Sequence, residues 1–406
     1  MDYQSLYNLY FQDQTKQKRI LQERISSEST TNFDFFISKN PAFLYLHPDH
    51  YALMIEIQRL DKELFSVLSV LPKIALTHYI KNTLVSEIKN TNDIEGVITT
   101  RKEIVEILDQ LSLRKHDRLY GMVKRYSFLM DLRQFALDIP NDIRVLYDEL
   151  VKEEIRQADQ ADILDGALFR KDTVYLYKAS GKILHEGLTP ETEIIAYLGK
   201  ALLILKDKNL DILIRISLFH YLFGYIHPFY NGNGRVNRFI SSYLLSQSFT
   251  PLIGYQFSLQ VKNQKKLYYD AFEKTNDPRN KGDLGTFVIA FLKLIRDSFL
   301  STINALKERS QQLDHYLELI GKSDFSPKQK ELLFILTQSS LFADEGVKIE
   351  ELVEYSGQST AWIRKKMTML ENKGLLMKNR NGHFWKYQAN LKALDELTLI
   401  EKSNKE

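Results

Sequence analysis

"IHPFYNGNGRVNRF", residues 226–239, concentrates one histidine, two Asn-Gly steps and two arginines in a chain of otherwise ordinary composition. Upstream, "LDILIRISLFHYLFGYI" reads as an apolar helix; downstream, Val236, Phe239, Ile240, Tyr243 and Leu244 recur at helical spacing and predict a buried stripe. The joint between them is glycine-rich. The second helix is predicted to begin near Gly232-Asn233-Gly234, with its unpaired N–H groups and positive dipole end facing out of the loop. Glycines let an anion approach that backbone closely. Arg235 and Arg238 share a helix face pointing away from the apolar stripe, where each can take a phosphate oxygen. His227 enters the loop from the other side, held by Pro228, and is the one nearby group whose ordinary pKa suits proton uptake at neutral pH. These residue types describe a polyphosphate cradle beside a base. The plainer alternative is an interhelical turn with solvated arginines. No Walker sequence is present, because the Lys-Ser or Lys-Thr ending is missing.

Around this stretch the chain reads as globular and mainly α. It has 406 residues, 44% hydrophobic and 26% charged, a length at which several domains are expected. Glycine and proline are sparse, at 17 and 9. There is no cysteine, which excludes disulfides and thiolate metal sites and permits a reducing compartment. The N-terminal "MDYQSLYNLYFQDQTKQKR" lacks the pattern of a signal peptide, and no apolar run reaches about 18 residues, so a cytoplasmic protein without membrane insertion is expected. A net charge of +3 argues against a protein that coats nucleic acid over its whole surface. Residues 168–188 read as an extended pair around Ala179-Ser180-Gly181, with Thr173, Val174 and Tyr175 on the first arm. Thr189-Pro190-Glu191 then reads as an N-cap with proline at the first helical position, opening a helix through about Leu205. Near the C-terminus, "FSPKQKELLFILTQ" (Ser326 cap, Pro327), "VKIEELVEYSG" and "STAWIRKKMTMLENKG" (closed by Gly374) are predicted helices. The Asn381-Gly382 turn between strand-like runs follows them, and three helices plus a hairpin is the outline of a winged helix.

"HPFYNGNGRVNR" resembles the signature of the Fic family, His-Pro-Phe-x-Asp/Glu-Gly-Asn-Gly-Arg-x-x-Arg. Residues 168–188 look like that family's flap hairpin, and "LYYDAF" and "KGDLGTFVIAFL" are similar to family sequence further on. The resemblance implies a helical Fic core with a small β-hairpin flap and transfer of AMP from ATP to a Ser, Thr or Tyr hydroxyl of a target protein. It gives His227 the role of base, Asn233 the α-phosphate, the backbone of Gly232 and Gly234 an anion hole, and Arg235 and Arg238 the β- and γ-phosphates. Phe229 becomes the loop's core anchor, Tyr268 and Tyr269 border the adenine, and the hairpin at Thr173, Val174 and Tyr175 docks the target. One position departs: the family's Mg²⁺-binding carboxylate is here Asn231, a neutral oxygen that lowers the expected affinity for the metal.

"NTNDIEGVIT" matches the family's inhibitory pattern Ser/Thr-x-x-x-Glu-Gly/Asn through Thr91, Glu95 and Gly96. The match implies autoinhibition, with Glu95 occupying Arg238 in place of the γ-phosphate. In some family members the same glutamate supports removal of AMP. His220 and His227, seven apart, lack a third ligand by spacing, so a histidine metal site is not expected. From Ser359 to Gln388, seven Lys or Arg (364, 365, 366, 373, 378, 380, 386) face the single acid Glu371. With Ala361 near the start of a recognition helix, this strip suits DNA. Trp362, Phe384 and Trp385 equally suit target docking or a homodimer interface. The expected organisation is an N-terminal helical region with the inhibitory helix (1–115), a Fic core (116–305) and a winged helix (306–406). The rival to an enzyme is a nucleotide-sensing DNA-binding regulator with weak catalysis.

Overall fold

The structure, a computed structural model, describes residues 3–115, 117–158, 162–177, 181, 183–381 and 384–396. Of the two expected turns, Ala179, Ser180 and Gly382 lie outside the described residues. The chain divides into two compact units, residues 1–62 with 86–300 and residues 63–85 with 301–406. Helices dominate both, and each described sheet is a two-stranded hairpin.

The first unit contains α1 (Leu6–Gln12), α2 (Gln14–Ile25), β1 (Thr30–Ile37) and β2 (Asn40–Tyr45), then most of α3 (Pro48–Ser69) and the second part of α4 (Lys73–Ile94). It continues through α5 (Arg101–Asp109), α6 (Tyr120–Ser127), α7 (Pro140–Leu150), α8 (Lys152–Ala158), β3 (Tyr175–Tyr177), β4 (Ile183–Glu186) and α9 (Glu191–Lys206). Next come α10 (Ile212–Ile226), α11 (Asn233–Ser248), α12 (Phe257–Asn263), α13 (Lys265–Asn276) and the start of α14 (Gly285–Lys322).

Its centre is α10 and α11. Asp211 caps α10 by accepting from Leu213 N, 2.8 Å, and the largely apolar sequence that follows is buried almost all round, as a central helix must be. In α11, Val236, Phe239, Ile240 and Tyr243 are buried as predicted; Leu245 takes the place expected for Leu244, which is only half-buried. The shift reflects packing on several sides of α11 rather than along one stripe.

Two local readings change. Thr173 and Val174 precede β3 rather than forming it, although Gly187 N donates to Val174 O, 2.9 Å. Pro190, not Thr189, occupies the N-cap of α9, with no side-chain cap. The first helical residue, Glu191, instead accepts from the backbone N–H groups of Ala167, Leu168 and Phe169 at 3.1, 2.7 and 2.8 Å. Three donors on one carboxylate fix the segment leading into the hairpin and hold that carboxyl below its usual range despite the opposing effect of burial.

The second unit carries α15 (Pro327–Phe342), α16 (Ile349–Ser356), α17 (Thr360–Asn372) and the antiparallel pair β5 (Leu376–Asn381) and β6 (Phe384–Ala389). Ser326 N donates to Gln329 Oε1, 2.9 Å, and Ser359 Oγ accepts from Trp362 N, 3.3 Å, so both predicted N-termini form. Gly374, at φ +72°, closes α17 where a side chain would be strained. Leu332, Leu336, Leu352, Ile363, Met367 and Leu376 share one core. The basic strip is interrupted. Lys386 is buried against Glu345 at 2.5 Å and Lys378 pairs with Glu371 at 2.5 Å, whereas Arg364, Lys365, Lys373 and Arg380 are exposed.

No described helix is long and apolar enough to cross a membrane.

Candidate functional site

The loop between α10 and α11 is shaped by two backbone demands and two side-chain anchors. His227 ends α10 in the left-handed region, φ 52° and ψ 63°, with its N–H still donating to Phe223 O at 3.0 Å. Gly232, at φ +82°, caps α11, and a Cβ there would meet Val151 Cγ2 at 3.0 Å. Between them Phe229 is fully buried and stacks on Tyr147 with centroids 4.0 Å apart. Asn233 latches the loop to itself: its Oδ1 accepts from Phe229 N, 2.9 Å, and its Nδ2 donates to Phe229 O, 2.7 Å. Both the oxygen and the nitrogen of the Asn233 side-chain amide are therefore engaged inside the loop.

Sequence reasoning missed Arg170. This fully buried arginine donates from Nε to His227 O and from Nη2 to Leu188 O, both 2.8 Å, and from Nη1 to Asp172 O, 2.5 Å. It ties the hairpin base to the strained residue that carries the imidazole. Gly187 makes room for it, since a Cβ there would overlap Arg170 Nη2. A single arginine 57 residues before its carbonyl partner leaves no periodic trace.

Both motif arginines, expected on an open face, are 1% exposed. Arg238 Nε donates to Thr91 Oγ1 at 2.8 Å, and its Nη2 donates to Thr91 O at 3.0 Å and Glu95 Oε1 at 2.7 Å. Glu95 and Gly96 follow directly after α4, with Gly96 at φ +74° turning the chain away. A Cβ on Gly234 would overlap Glu95 Oε1. The glycine thus permits a carboxylate to sit on the first turn of α11, where the helix dipole favours negative charge. Burial raises the Glu95 carboxyl, but Arg238 outweighs it and the group is held below its usual range. Earlier along α4, Glu87 accepts from Ser258 N and Ser242 Oγ, and burial pushes its carboxyl up to about 7.

Arg235 has a partner that sequence reasoning also missed. Its Nη1 pairs with Glu154 of α8, itself buried, while its Nε and Nη2 have no hydrogen-bond partner among the described residues.

A cavity of about 420 Å³ opens beside these groups, with Glu95, His185, His227, Arg238, Tyr269 and Phe272 among its lining. Leu176 and Leu184 of the β3–β4 hairpin border it too, whereas Tyr175 is exposed outside the lining. Tyr268 and Tyr269 both face it. Tyr268 is buried with its hydroxyl 2.7 Å from His220 Nε2, and His220 Nδ1 is 2.7 Å from Ser241 Oγ, so His220 serves packing. The His227 imidazole is pushed down to about 4, by burial first and then by the neighbouring His185 and Arg170. It is neutral at pH 7, ready to accept a proton, but a weaker base than its ordinary pKa implies.

Asn231 is exposed at the mouth of the loop. Its Oδ1 accepts from Gly232 N at 2.6 Å and its Nδ2 donates to Asp162 Oδ2 at 2.8 Å. Of the pair, the Asp162 carboxylate is the anionic oxygen ligand that Mg²⁺ takes beside phosphate oxygens and water. Asn231 alone supplies no charge.

Residues 136–245 match the model of the Fic/DOC family. The chain is 22% identical over 255 residues to "Protein adenylyltransferase Fic" of Drosophila ananassae, covering 61% of this chain and 47% of that protein. It is 24% identical over 265 residues to "Protein adenylyltransferase fic-1" of Caenorhabditis elegans, covering 64% and 48%. The chain spans about half the length of these curated relatives. A crystal structure of a Fic family protein from Desulfovibrio desulfuricans G20 shares the fold with a TM-score of 0.50 at 17% identity, over 85% of this chain and 97% of that one.

Proposed function

We propose that this chain, which belongs to the Fic family, transfers AMP from ATP to a hydroxyl side chain of a target protein and is held inactive by Glu95. The observation that carries this reading is the Glu95 carboxylate seated over Gly234 and bonded to Arg238, in the wall of the cavity that His227 also lines. A carboxylate there stands in for a phosphate: it uses the same arginine, the same helix N-terminus and the same glycine clearance.

In the reaction, His227 accepts the proton of the target hydroxyl as its oxygen attacks the α-phosphorus. The bond from that phosphorus to the bridging oxygen breaks, pyrophosphate leaves, and AMP remains on the target. The N–H groups at the start of α11 stabilise charge developing on the α-phosphate. Arg238 takes the γ-phosphate once Glu95 withdraws. Arg235, sealed against Glu154, acts on the phosphates through its field rather than by contact. Mg²⁺ would neutralise phosphate charge when bound with ATP. The hairpin edge around Thr173, Val174 and Tyr175 presents the target backbone, and Tyr269 borders the adenine.

Incubation with ATP labelled in the α-phosphate, followed by mass spectrometry of the labelled residue, tests the reading. With the restraint removed by Glu95→Gly, covalent AMP is expected on protein, lost about 10²- to 10⁴-fold when His227→Ala is added, with ATP binding retained. Label that persists in His227→Ala sinks the assignment of the base. Nucleotide binding without any label favours the sensor alternative. In that alternative the exposed Arg364 and Lys365 near the start of α17 contact DNA.

A further inference from the structure

We infer that Asp162 supplies the anionic magnesium ligand that position 231 lacks, so that the metal site of this chain is built by two segments rather than by the loop alone. The inference rests on the nucleotide reading above and deepens it.

Mg²⁺ binds ATP-utilising sites through one or two carboxylates together with phosphate oxygens and water. At the mouth of the loop the one side chain in the loop's own sequence that could serve is an amide. Its orientation is set by its neighbours: Gly232 N–H requires an acceptor and takes Asn231 Oδ1, 2.6 Å, which leaves Nδ2 to meet the Asp162 carboxylate, 2.8 Å. Asn231 therefore presents its donor, not its oxygen, to the place where negative charge is needed. Asp162 brings that charge to within one hydrogen bond of the motif position, from 69 residues earlier in the chain.

The pairing also accounts for the asparagine. Two carboxylates at that separation would repel each other whenever no cation lay between them. An amide opposite a carboxylate keeps the local charge at one unit and holds Asp162 in place until the metal arrives. Negative charge has been moved across the hydrogen bond, not removed. The position is close to the phosphates the nucleotide reading requires, because Asn231 immediately precedes Gly232, the N-cap of α11.

The test is a four-variant cycle in the full chain carrying Glu95→Gly: the parent, Asp162→Asn, Asn231→Asp, and both together. Each is loaded with α,β-methylene-ATP, which cannot release pyrophosphate, and titrated with Mn²⁺ read by electron paramagnetic resonance. Asp162→Asn is expected to weaken Mn²⁺ binding about 10- to 100-fold, while analogue binding in EDTA is unchanged. The double variant, with the carboxylate returned to position 231, is expected to recover affinity to within a few-fold of the parent. A merely structural Asp162 would not be rescued in this way. Equal Mn²⁺ affinity in the parent and Asp162→Asn overturns the inference, as does loss of metal-free analogue binding in Asp162→Asn. A parent that binds no analogue overturns the nucleotide reading itself, and this inference with it.

Discussion

The two motif arginines are three residues apart on one helix and equally buried, yet their carboxylate partners differ in kind. Arg238 is bonded by Thr91 and Glu95 together, and the Glu95 side chain remains 26% exposed in the cavity wall. Arg235 is held by Glu154, its two other guanidinium nitrogens have no partner among the described residues, and the Glu154 side chain is 8% exposed. The pair with more bonds is the one that can open, because its carboxylate has an aqueous alternative. The pair with fewer bonds is sealed, and removing its acid leaves a charge with nowhere to go. On the proposed reading, access to water and not bond count separates the switch at Glu95 from the structural clamp at Glu154.

The largest effect should come from Glu154→Ala. Breaking a sealed pair by deleting one partner costs roughly 3–5 kcal/mol, read as a lowered urea midpoint, with Glu154→Gln losing less. Unchanged stability in Glu154→Ala would erase the contrast between the two clamps.

Glu95→Gly should cost less stability and raise AMP transfer. A site held shut about 99% of the time gains at most about 100-fold on release, and about 2.7 kcal/mol suffices to hold it. Measured by initial rates of labelling, a rise of about 10- to 100-fold is expected. No rise would mean that Glu95 does not restrain the site.

Thr91→Val sharpens the comparison within one clamp. It removes the Oγ1 acceptor of Arg238 Nε and keeps the Thr91 carbonyl bond. A hydrogen bond to a charged group contributes about 1.5–3 kcal/mol; since it braces Arg238 rather than Glu95, transfer should rise only a few-fold in the same assay. An effect equal to Glu95→Gly would place the restraint in the threonine.

The smallest effect is that of pH. The folded Glu95 carboxyl is depressed, so its contribution is fully present above the unfolded value near 4.5 and is lost only as pH falls through the lower folded value. His227, pushed down to about 4, stays neutral over the same window. Transfer by the parent should therefore change little between about pH 7 and pH 5. In Glu95→Gly, loss of a nearby negative charge that raises the imidazole shifts the acid limb lower still. A pH–rate profile with an acid limb near 6.5 would show that His227 keeps its ordinary pKa in the working enzyme.

Several features of this protein were legible from local sequence alone. The start of α11 at Gly232-Asn233 and the helix–helix–helix–hairpin order after Ser326 follow from spacing and caps carried within a few residues, whereas the pairing of Glu95 with Arg238, 143 residues apart, was implied only by the resemblance to the Fic family. What the tertiary structure decided is which polar groups are buried and by what they are held. Glu154 lies 81 residues before Arg235, Arg170 lies 57 before His227, and Asp162 lies 69 before Asn231. Periodicity reports the face a residue occupies on its own helix, and it made the arginines look open and Lys386 look like part of a surface strip. Whether another segment covers that face depends on contacts between residues far apart in the chain, and it is those contacts that set exposure, charge pairing and the proton affinity of His227.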